Sequence, residues 1–383
     1  GVQIVPPFDA EIAAAIEAAP PADEIPMNDD LVEAVDPREE YVAEAVTLAS
    51  GEADARADLR IVLTAMHGVG AAMTARVLAE AGFAKVSLVA AQAEPDPDFP
   101  TVPFPNPEEA GALDMAIEQA RAEDADLIIA VDPDADRCAL AVPDPHAEAE
   151  WTPLSGDQIG CLLGEFLASR GLRGSLANSI VSSRLLARIA RSHGLEHHTT
   201  LTGFKWIARA PQLAFGYEEA IGFCPNPSAA RDKDGIASSV VAASLFAALK
   251  TEGRTAWDEL DRLAHAHGLH VTGPLTFRVE EIAQIATGMA RLRAQPPSEL
   301  AGSPVVEVSD LAEGYQGLPP TDGILVLTEA GDRVIARPSG TEPKLKCYLE
   351  VILPAPEGEP VPWGAARERL ELIKREFGQI IGL

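Results

Sequence analysis

Leu127-Ile128-Ile129-Ala130-Val131, then Asp132-Pro133-Asp134-Ala135-Asp136-Arg137, then Cys138-Ala139-Leu140-Ala141-Val142: two apolar runs frame one acidic loop. The first run has the length and composition of a strand buried on both faces. Three carboxylates at i, i+2 and i+4 repel one another, so a loop that gathers them calls for a compensating charge. Pro133 and the absence of helical spacing keep the segment extended, and all three acids can turn towards one point. A hard divalent cation with oxygen ligands is the natural partner. An EF-hand loop would need Gly at its sixth position and Glu at its twelfth, where this chain has Arg137 and Pro143. Mg²⁺ is therefore favoured over Ca²⁺, with a solvated acidic turn as the plain alternative.

Outward from the loop, the order is that of an α/β protein. Helix Glu39–Leu48, strand Leu59–Leu63, a glycine turn at Gly68 and Gly70, helix Ala71–Ala81, strand Lys85–Val89 and helix Pro107–Ala122 lead into it. The glycine turn can either cradle an anion or bring strand and helix close together. This βαβαβ order predicts a doubly wound domain with its site at the carboxyl ends of the strands. From Trp151 a similar unit restarts: helix Gly156–Ser169, strand Ser175–Ser182, helix Arg184–His193, strand Leu213–Phe215 and an Ala-rich helix Ile236–Leu249. After about His270, strands at Thr276–Val279, near Val305 and at Ile324–Leu327, and a hairpin over Asp332–Val351, gather before a final helix, Ala365–Gln379. The expected fold is thus α/β, with consecutive mixed three-layer domains followed by a smaller C-terminal α+β domain. The predicted divisions are 38–150, 151–270 and 271–383. Residues 1–37 read as a strand over Gly1–Pro7, a helix carrying Ile12 and Ile16, and a Pro- and acid-rich linker from Pro20 to Pro37.

The chain has 383 residues, 47% of them hydrophobic and 23% charged, a globular balance that calls for several domains. With 30 basic and 59 acidic residues, its formal charge of −29 makes nucleic acid and anionic membranes poor partners. An anionic ligand would also be repelled at long range, so local clusters of Lys and Arg carry information. The apolar runs fall short of a membrane span, and no signal-peptide pattern opens the chain. Cys138, Cys161, Cys224 and Cys347 show no paired spacing, which fits a reducing cytoplasm.

Three further stretches carry chemistry. Arg337-Pro338-Ser339-Gly340-Thr341-Glu342-Pro343-Lys344-Leu345-Lys346 gathers cations, hydroxyls and freed backbone N–H groups between two strands. A phosphate needs that set, although a Pro/Gly hairpin needs the same turn residues. Glu218 and Glu219, between Gly216 and Gly222, can accept sugar hydroxyls or sit in a solvated turn; adjacent acids at a strand end point oppositely. Lys205 in Thr202-Gly203-Phe204-Lys205, with Lys233 as a second candidate, can donate a proton or serve as a counter-charge. His67, His193, His197 and His198 lack metal-ligand spacing, and Ser182-Ser183-Arg184 reads as helix capping.

D-P-D-A-D-R, T-G-F-K, G-Y-E-E-A-I-G and R-P-S-G-T-E-P-K stand here in the order of the motifs of the α-D-phosphohexomutase superfamily, which the chain resembles over nearly its whole length. The resemblance implies a phosphoglucomutase or phosphomannomutase. Such enzymes interconvert sugar 1- and 6-phosphates through a phosphoserine and a bisphosphate such as glucose 1,6-bisphosphate. It implies Mg²⁺ on Asp132, Asp134 and Asp136, with Arg137 steadying the phosphoryl group and Lys205 beside the substrate. Glu218 and Glu219 would hold the sugar, and Arg337, Ser339, Gly340 and Thr341 the non-reacting phosphate. T-G-F-K-W-I and E-E-A-I-G are most similar to the branch with phosphoglucomutase-like and phosphopentomutase enzymes, so a phosphopentomutase is one alternative. A catalytically dead sugar-phosphate-binding protein is the other. Two departures stand out. Ala220 replaces the serine of the sugar loop, and no T-A-S-H-N-P-like segment supplies the nucleophile. The expectation is a chain that begins just beyond that serine, with 1–37 a remnant of a first α/β domain, inactive alone. A monomer or homodimer in the cytoplasm is expected.

Overall fold

The computed structural model describes residues 2–144, 150–339 and 343–382. Near the N-terminus α1 (Phe8–Ala18) buries no residue, and residues 20–37 run exposed through two short 3₁₀ turns. The strand expected over Gly1–Pro7 does not form among the described residues: Val2–Val5 finds no sheet edge, and a lone extended segment cannot satisfy its backbone.

Helices α2 (Arg38–Val46) and α3 (Ala53–Asp58) precede β1 (Arg60–Thr64), α4 (Ala71–Glu80), β2 (Lys85–Leu88), α5 (Asp114–Glu123), β3 (Leu127–Val131), β4 (Cys138–Pro143) and β5 (Trp151–Pro153). Their sheet has the order β2-β1-β3-β4-β5; β1 pairs in parallel with β2 and β3, and β4 is antiparallel to β3 and β5. The chain steps from β1 outward to β2 and back across to β3, so right-handed crossovers set α4 and α5 on opposite faces. Every residue of β3 is buried, as its unbroken apolar run requires. Helix α5 starts later than expected because Gly111, at φ +82°, lies in the turns that precede it.

The second unit comprises α6 (Gly156–Ser169), β6 (Ser175–Ser179), α7 (Leu185–Ser192), β7 (Glu196–Thr200), α8 (Phe204–Ile207), β8 (Leu213–Glu218), β9 (Gly222–Cys224), α9 (Gly235–Thr251) and α10 (Ala256–His267). Its sheet runs β7-β6-β8-β9 and is parallel except at β9. Helix α9 is buried nearly all round and packs on α4, β3 and β4 of the first sheet as well as on β9. One core therefore runs through both sheets.

The third sheet is antiparallel, β10-β15-β14-β13-β12-β11. Its strands are β10 (Leu269–Arg278), β11 (Glu299–Leu300), β12 (Ser303–Asp310), β13 (Ile324–Thr328), β14 (Arg333–Pro338) and β15 (Lys344–Leu353). Helices α11 (Ile282–Ala294) and α12 (Trp363–Ile381) bury Met289, Leu292, Ile373 and Phe377 against one face, together with Val334, Cys347 and Leu349. Consecutive mixed α/β units followed by an α+β unit are the expected fold class. Strand β10 is far longer than the Thr276–Val279 segment that the sequence suggested. Gly273 and Pro274 look like breakers, yet β10 is the sheet's edge, where proline has no ladder bond to lose.

Candidate active site

The acidic loop joins β3 to β4 as a tight reversal. Ala135 adopts φ +60° and donates its N–H to Asp132 O at 2.9 Å. Asp132 is fully buried and accepts from the Arg137 backbone N–H at 2.9 Å and from Arg137 Nε at 2.6 Å. Burial pushes its carboxyl up, against the pull of those Arg137 groups. Asp136 lies 3.7 Å from Arg137 Nε and 2.8 Å from Lys233 Nζ; Asp134 is exposed. The three carboxylates each offer an oxygen within 4.8 Å of the others. The glycine turn is a packing device, not an anion cradle: a Cβ on Gly68 would meet Pro133 Cα at 2.4 Å, and Val69 N–H donates to Pro133 O at 2.9 Å.

Glu218 ends β8 and Glu219 follows it, so their side chains diverge. Glu218 lies among Lys233, Arg137 and Asp136, and burial pushes its carboxyl up to about 7, helped by the neighbouring Glu219 charge. Glu219 faces the cleft described below, and its Oε2 accepts from Ser179 Oγ and Ser182 Oγ, each at 3.0 Å. Ser179 ends β6 and Ser182 lies in the turn from β6 to α7. Capping covers only part of the Ser182-Ser183-Arg184 motif: Ser183 Oγ does accept from Leu185 N–H, but it also donates to Glu350 Oε1 at 2.9 Å. Beneath the turn, buried Asp157 accepts from Ser183 N–H at 2.6 Å and Tyr217 OH at 2.9 Å; burial raises its carboxyl to about 6. Gly156 beside it has to be glycine, because a Cβ there would stand 2.0 Å from Glu219 O.

On the third sheet, Arg337, one residue before the end of β14, pairs with Lys346 of β15, which in turn faces Thr276 of β10. Residues paired in this way share a face, so Arg278, Arg337, Lys344 and Lys346 form one cationic strip. Ser339 N–H closes the hairpin on Lys344 O at 2.8 Å. Gly340 and Thr341 lie outside the described residues. A cleft of about 850 Å³ opens between the three sheets, lined by Asp132, Asp134, Arg137, Asp157, Glu219, Arg278, Lys344, Lys346 and Tyr348. One wall is acidic and the opposite wall basic, in a chain of net charge −29. Lys205, on α8, is half-buried and absent from this lining; the lysine beside the acidic loop is Lys233. Sequence reading missed Asp157, Ser179, Arg278, Glu350 and Arg333. Of these only Arg278 left a readable signal, as a cation on a strand of an acidic chain.

The donor set suits a hard divalent cation: Asp132, Asp134 and Asp136 offer oxygen alone, on one short loop. Arg137 and Lys233 already partly neutralise the same acids.

Three family models match the chain: phosphoglucomutase/phosphomannomutase alpha/beta/alpha domain II over residues 39–145, alpha/beta/alpha domain III over 155–266, and the C-terminal domain over 275–357. A protein of Haemophilus influenzae named "Probable phosphomannomutase" is 44% identical over 358 residues, 91% of this chain and 72% of that protein. A phosphoglucomutase of Staphylococcus aureus is 35% identical over 323 residues, 78% of this chain; the match spans 58% of that relative's length. Two solved structures share the fold at 19% identity. One is a phosphoglucomutase/phosphomannomutase family protein from Burkholderia thailandensis (TM-score 0.65, 91% of this chain and 65% of that one). The other is pp63/parafusin from Paramecium in its open form (TM-score 0.67, 92% and 64%).

Proposed function

The chain belongs to the phosphoglucomutase/phosphomannomutase family, and from that premise we propose that its cleft binds a hexose phosphate for transfer of a phosphoryl group between the 1- and 6-positions. The observation that carries this reading is the pairing of an acidic wall with a cationic one around a single cleft. A sugar phosphate offers hydroxyls at its middle and phosphate at its end, and a bisphosphate such as glucose 1,6-bisphosphate offers phosphate at both.

Asp132, Asp134 and Asp136 would hold Mg²⁺, which when bound offsets the charge of a phosphoryl group in transit. Arg137 donates to Asp132 and stands at the cleft, so its remaining N–H groups can steady phosphoryl oxygens. Glu219 offers a carboxylate oriented by two serines to the sugar hydroxyls. Glu218, whose carboxyl burial pushes up, stands beside Lys233 and Arg137. Arg337, Ser339, Gly340 and Thr341, extended by Lys346 and Arg278, hold the phosphate that does not react. Lys205 and Lys233 supply positive charge behind the sugar, the second through Asp136. Transfer also requires a phosphoserine, and no serine of the given sequence stands in a T-A-S-H-N-P-like setting. Residues 38–150, 151–270 and 271–383 are read as the units bearing metal, sugar and phosphate; three sheets support three units, while β5 (Trp151–Pro153) pairs with the first sheet and β10 begins at Leu269. We place the protein in the cytoplasm as a monomer or homodimer. In support, its four cysteines are free and buried, and no helix among the described residues is long and apolar enough to cross a membrane.

Calorimetric titration with glucose, mannose and ribose phosphates in Mg²⁺ tests the reading. Hexose phosphate binding that weakens with salt is expected. Indifference to all three sugars would overturn it.

A further inference from the structure

Strands β14 and β15, which carry three of the four cations of the strip, also enter a buried junction with the second unit. Glu350 of β15 is fully buried and accepts from Ser183 Oγ at 2.9 Å, Arg184 N–H at 2.8 Å, Arg184 Nε at 2.6 Å and His270 Nδ1 at 2.9 Å. Arg333 of β14, also buried, lies 3.3 Å from Glu350 and donates Nη1 to Ile180 O at 2.8 Å and Nη2 to Ser182 O at 2.6 Å. Together the two charged side chains hold the β6–α7 turn through the carbonyls of Ile180 and Ser182, the hydroxyl of Ser183 and Arg184. Ser179 Oγ and Ser182 Oγ in turn donate to Glu219 Oε2. Among the described residues, no hydrogen bond reaches Glu219 Oε1.

We propose that Arg333 and Glu350 are positioning residues for Glu219: from the phosphate-bearing sheet they fix the serine turn that aims this carboxylate into the cleft. The inference rests on the sugar-phosphate reading above. A lone carboxylate at a cleft wall samples several rotamers, whereas one held by two hydroxyls at a clamped turn keeps one. Arg333 and Arg337 lie four residues apart on one strand, as do Lys346 and Glu350 on its neighbour. A phosphate drawn to the cationic end is therefore held on the very strands that set the acid for the sugar. The alternative, a junction that only holds two units together, makes a different prediction for ligands that lack a sugar.

The test is calorimetry on the full chain with glucose 6-phosphate and, separately, inorganic phosphate, for wild type, Glu350→Gln, Glu219→Gln and the double variant. Glu350→Gln is expected to cost about tenfold in glucose 6-phosphate affinity, the scale of one charge-assisted hydrogen bond, and to leave inorganic phosphate affinity unchanged. In the Glu219→Gln background the further loss should vanish. An equal loss for both ligands, or a loss that persists without Glu219, would overturn the inference and leave the sugar-phosphate reading standing. Should Glu350→Gln fail to fold, Ser183→Ala, which removes only the turn's hydroxyl from Glu350, carries the same comparison. A wild-type chain that binds inorganic phosphate but no sugar phosphate would sink both the inference and the reading beneath it.

Discussion

Replacing Glu350 with Ala should loosen the C-terminal unit from its neighbour by an amount that the junction itself sets. The carboxylate answers two guanidiniums, an imidazole N–H, a hydroxyl and a backbone N–H. Arg184 has a side chain 31% exposed and can turn to water, so its share of the loss is small. Arg333 is 8% exposed and has no such exit. Breaking a buried ion pair by removing one partner costs about 3–5 kcal/mol. The carbonyls of Ile180 and Ser182 still receive Arg333, which argues for the lower end, about 3 kcal/mol. Glu350→Gln keeps an acceptor and should cost less, about 1–2 kcal/mol. Urea unfolding followed by tryptophan fluorescence would read this, because Trp257 and Trp363 pack edge to face at 6.2 Å between α10 and the start of α12. Burial works against the charged form of Glu350, yet Arg333, His270 and Arg184 hold its carboxyl well below the usual range. A depressed carboxyl stabilises the fold above its unfolded value, near 4.5, and loses that contribution as pH falls through the folded value. The difference between wild type and Glu350→Ala should therefore be full at neutral pH and shrink only in acid. A variant within 1 kcal/mol of wild type at pH 7 would refute the reasoning.

Other perturbations follow from the same contacts. Lys233→Met frees Asp136 from a cation 2.8 Å away and should raise Mg²⁺ affinity about tenfold, a fraction of the roughly 6 kcal/mol that unit charges exchange at such range near a protein surface; unchanged affinity by calorimetry would count against the metal loop. Arg337→Ala should cost about 1.5–3 kcal/mol of glucose 6-phosphate binding and flatten its salt dependence. Asp157 has its carboxyl raised to about 6, so the folded state holds its proton more tightly than the unfolded one. Wild type should therefore lose stability relative to Asp157→Asn as pH rises from 4 to 7. Parallel stability curves for the two would contradict that assignment.

What could be read from the sequence was local. The run from Leu127 to Val142 announced strand, acidic turn and strand because each contact that forms it lies within a few residues. Arg337 and Ser339 were legible for the same reason, as a hairpin with cations at its mouth. Glu350 was not: to a one-dimensional reading it is one acid in a β15 that alternates with Leu349 and Val351. Its partners Ser183 and Arg184 stand 167 and 166 residues away. Ser182 looked like a cap because capping is the common use of serine before a helix, while its acceptor, Glu219, comes from a different strand end. The contact of Lys233 with Asp136 also needed three dimensions, since the turn before α9 brings that lysine onto the acidic loop. The full length of β10 was likewise not legible. Whether Pro274 breaks a strand depends on which strand is the edge, and that is a property of the whole sheet.

The most direct test of the account is a crystal structure of this chain with Mn²⁺ and glucose 1,6-bisphosphate, the metal located by its anomalous signal. Manganese is expected among Asp132, Asp134 and Asp136, one phosphate against Arg337 and Lys346, and sugar hydroxyls within hydrogen-bond reach of Glu219. A sugar bisphosphate bound outside this cleft, or manganese on other acids with the loop empty, would contradict it.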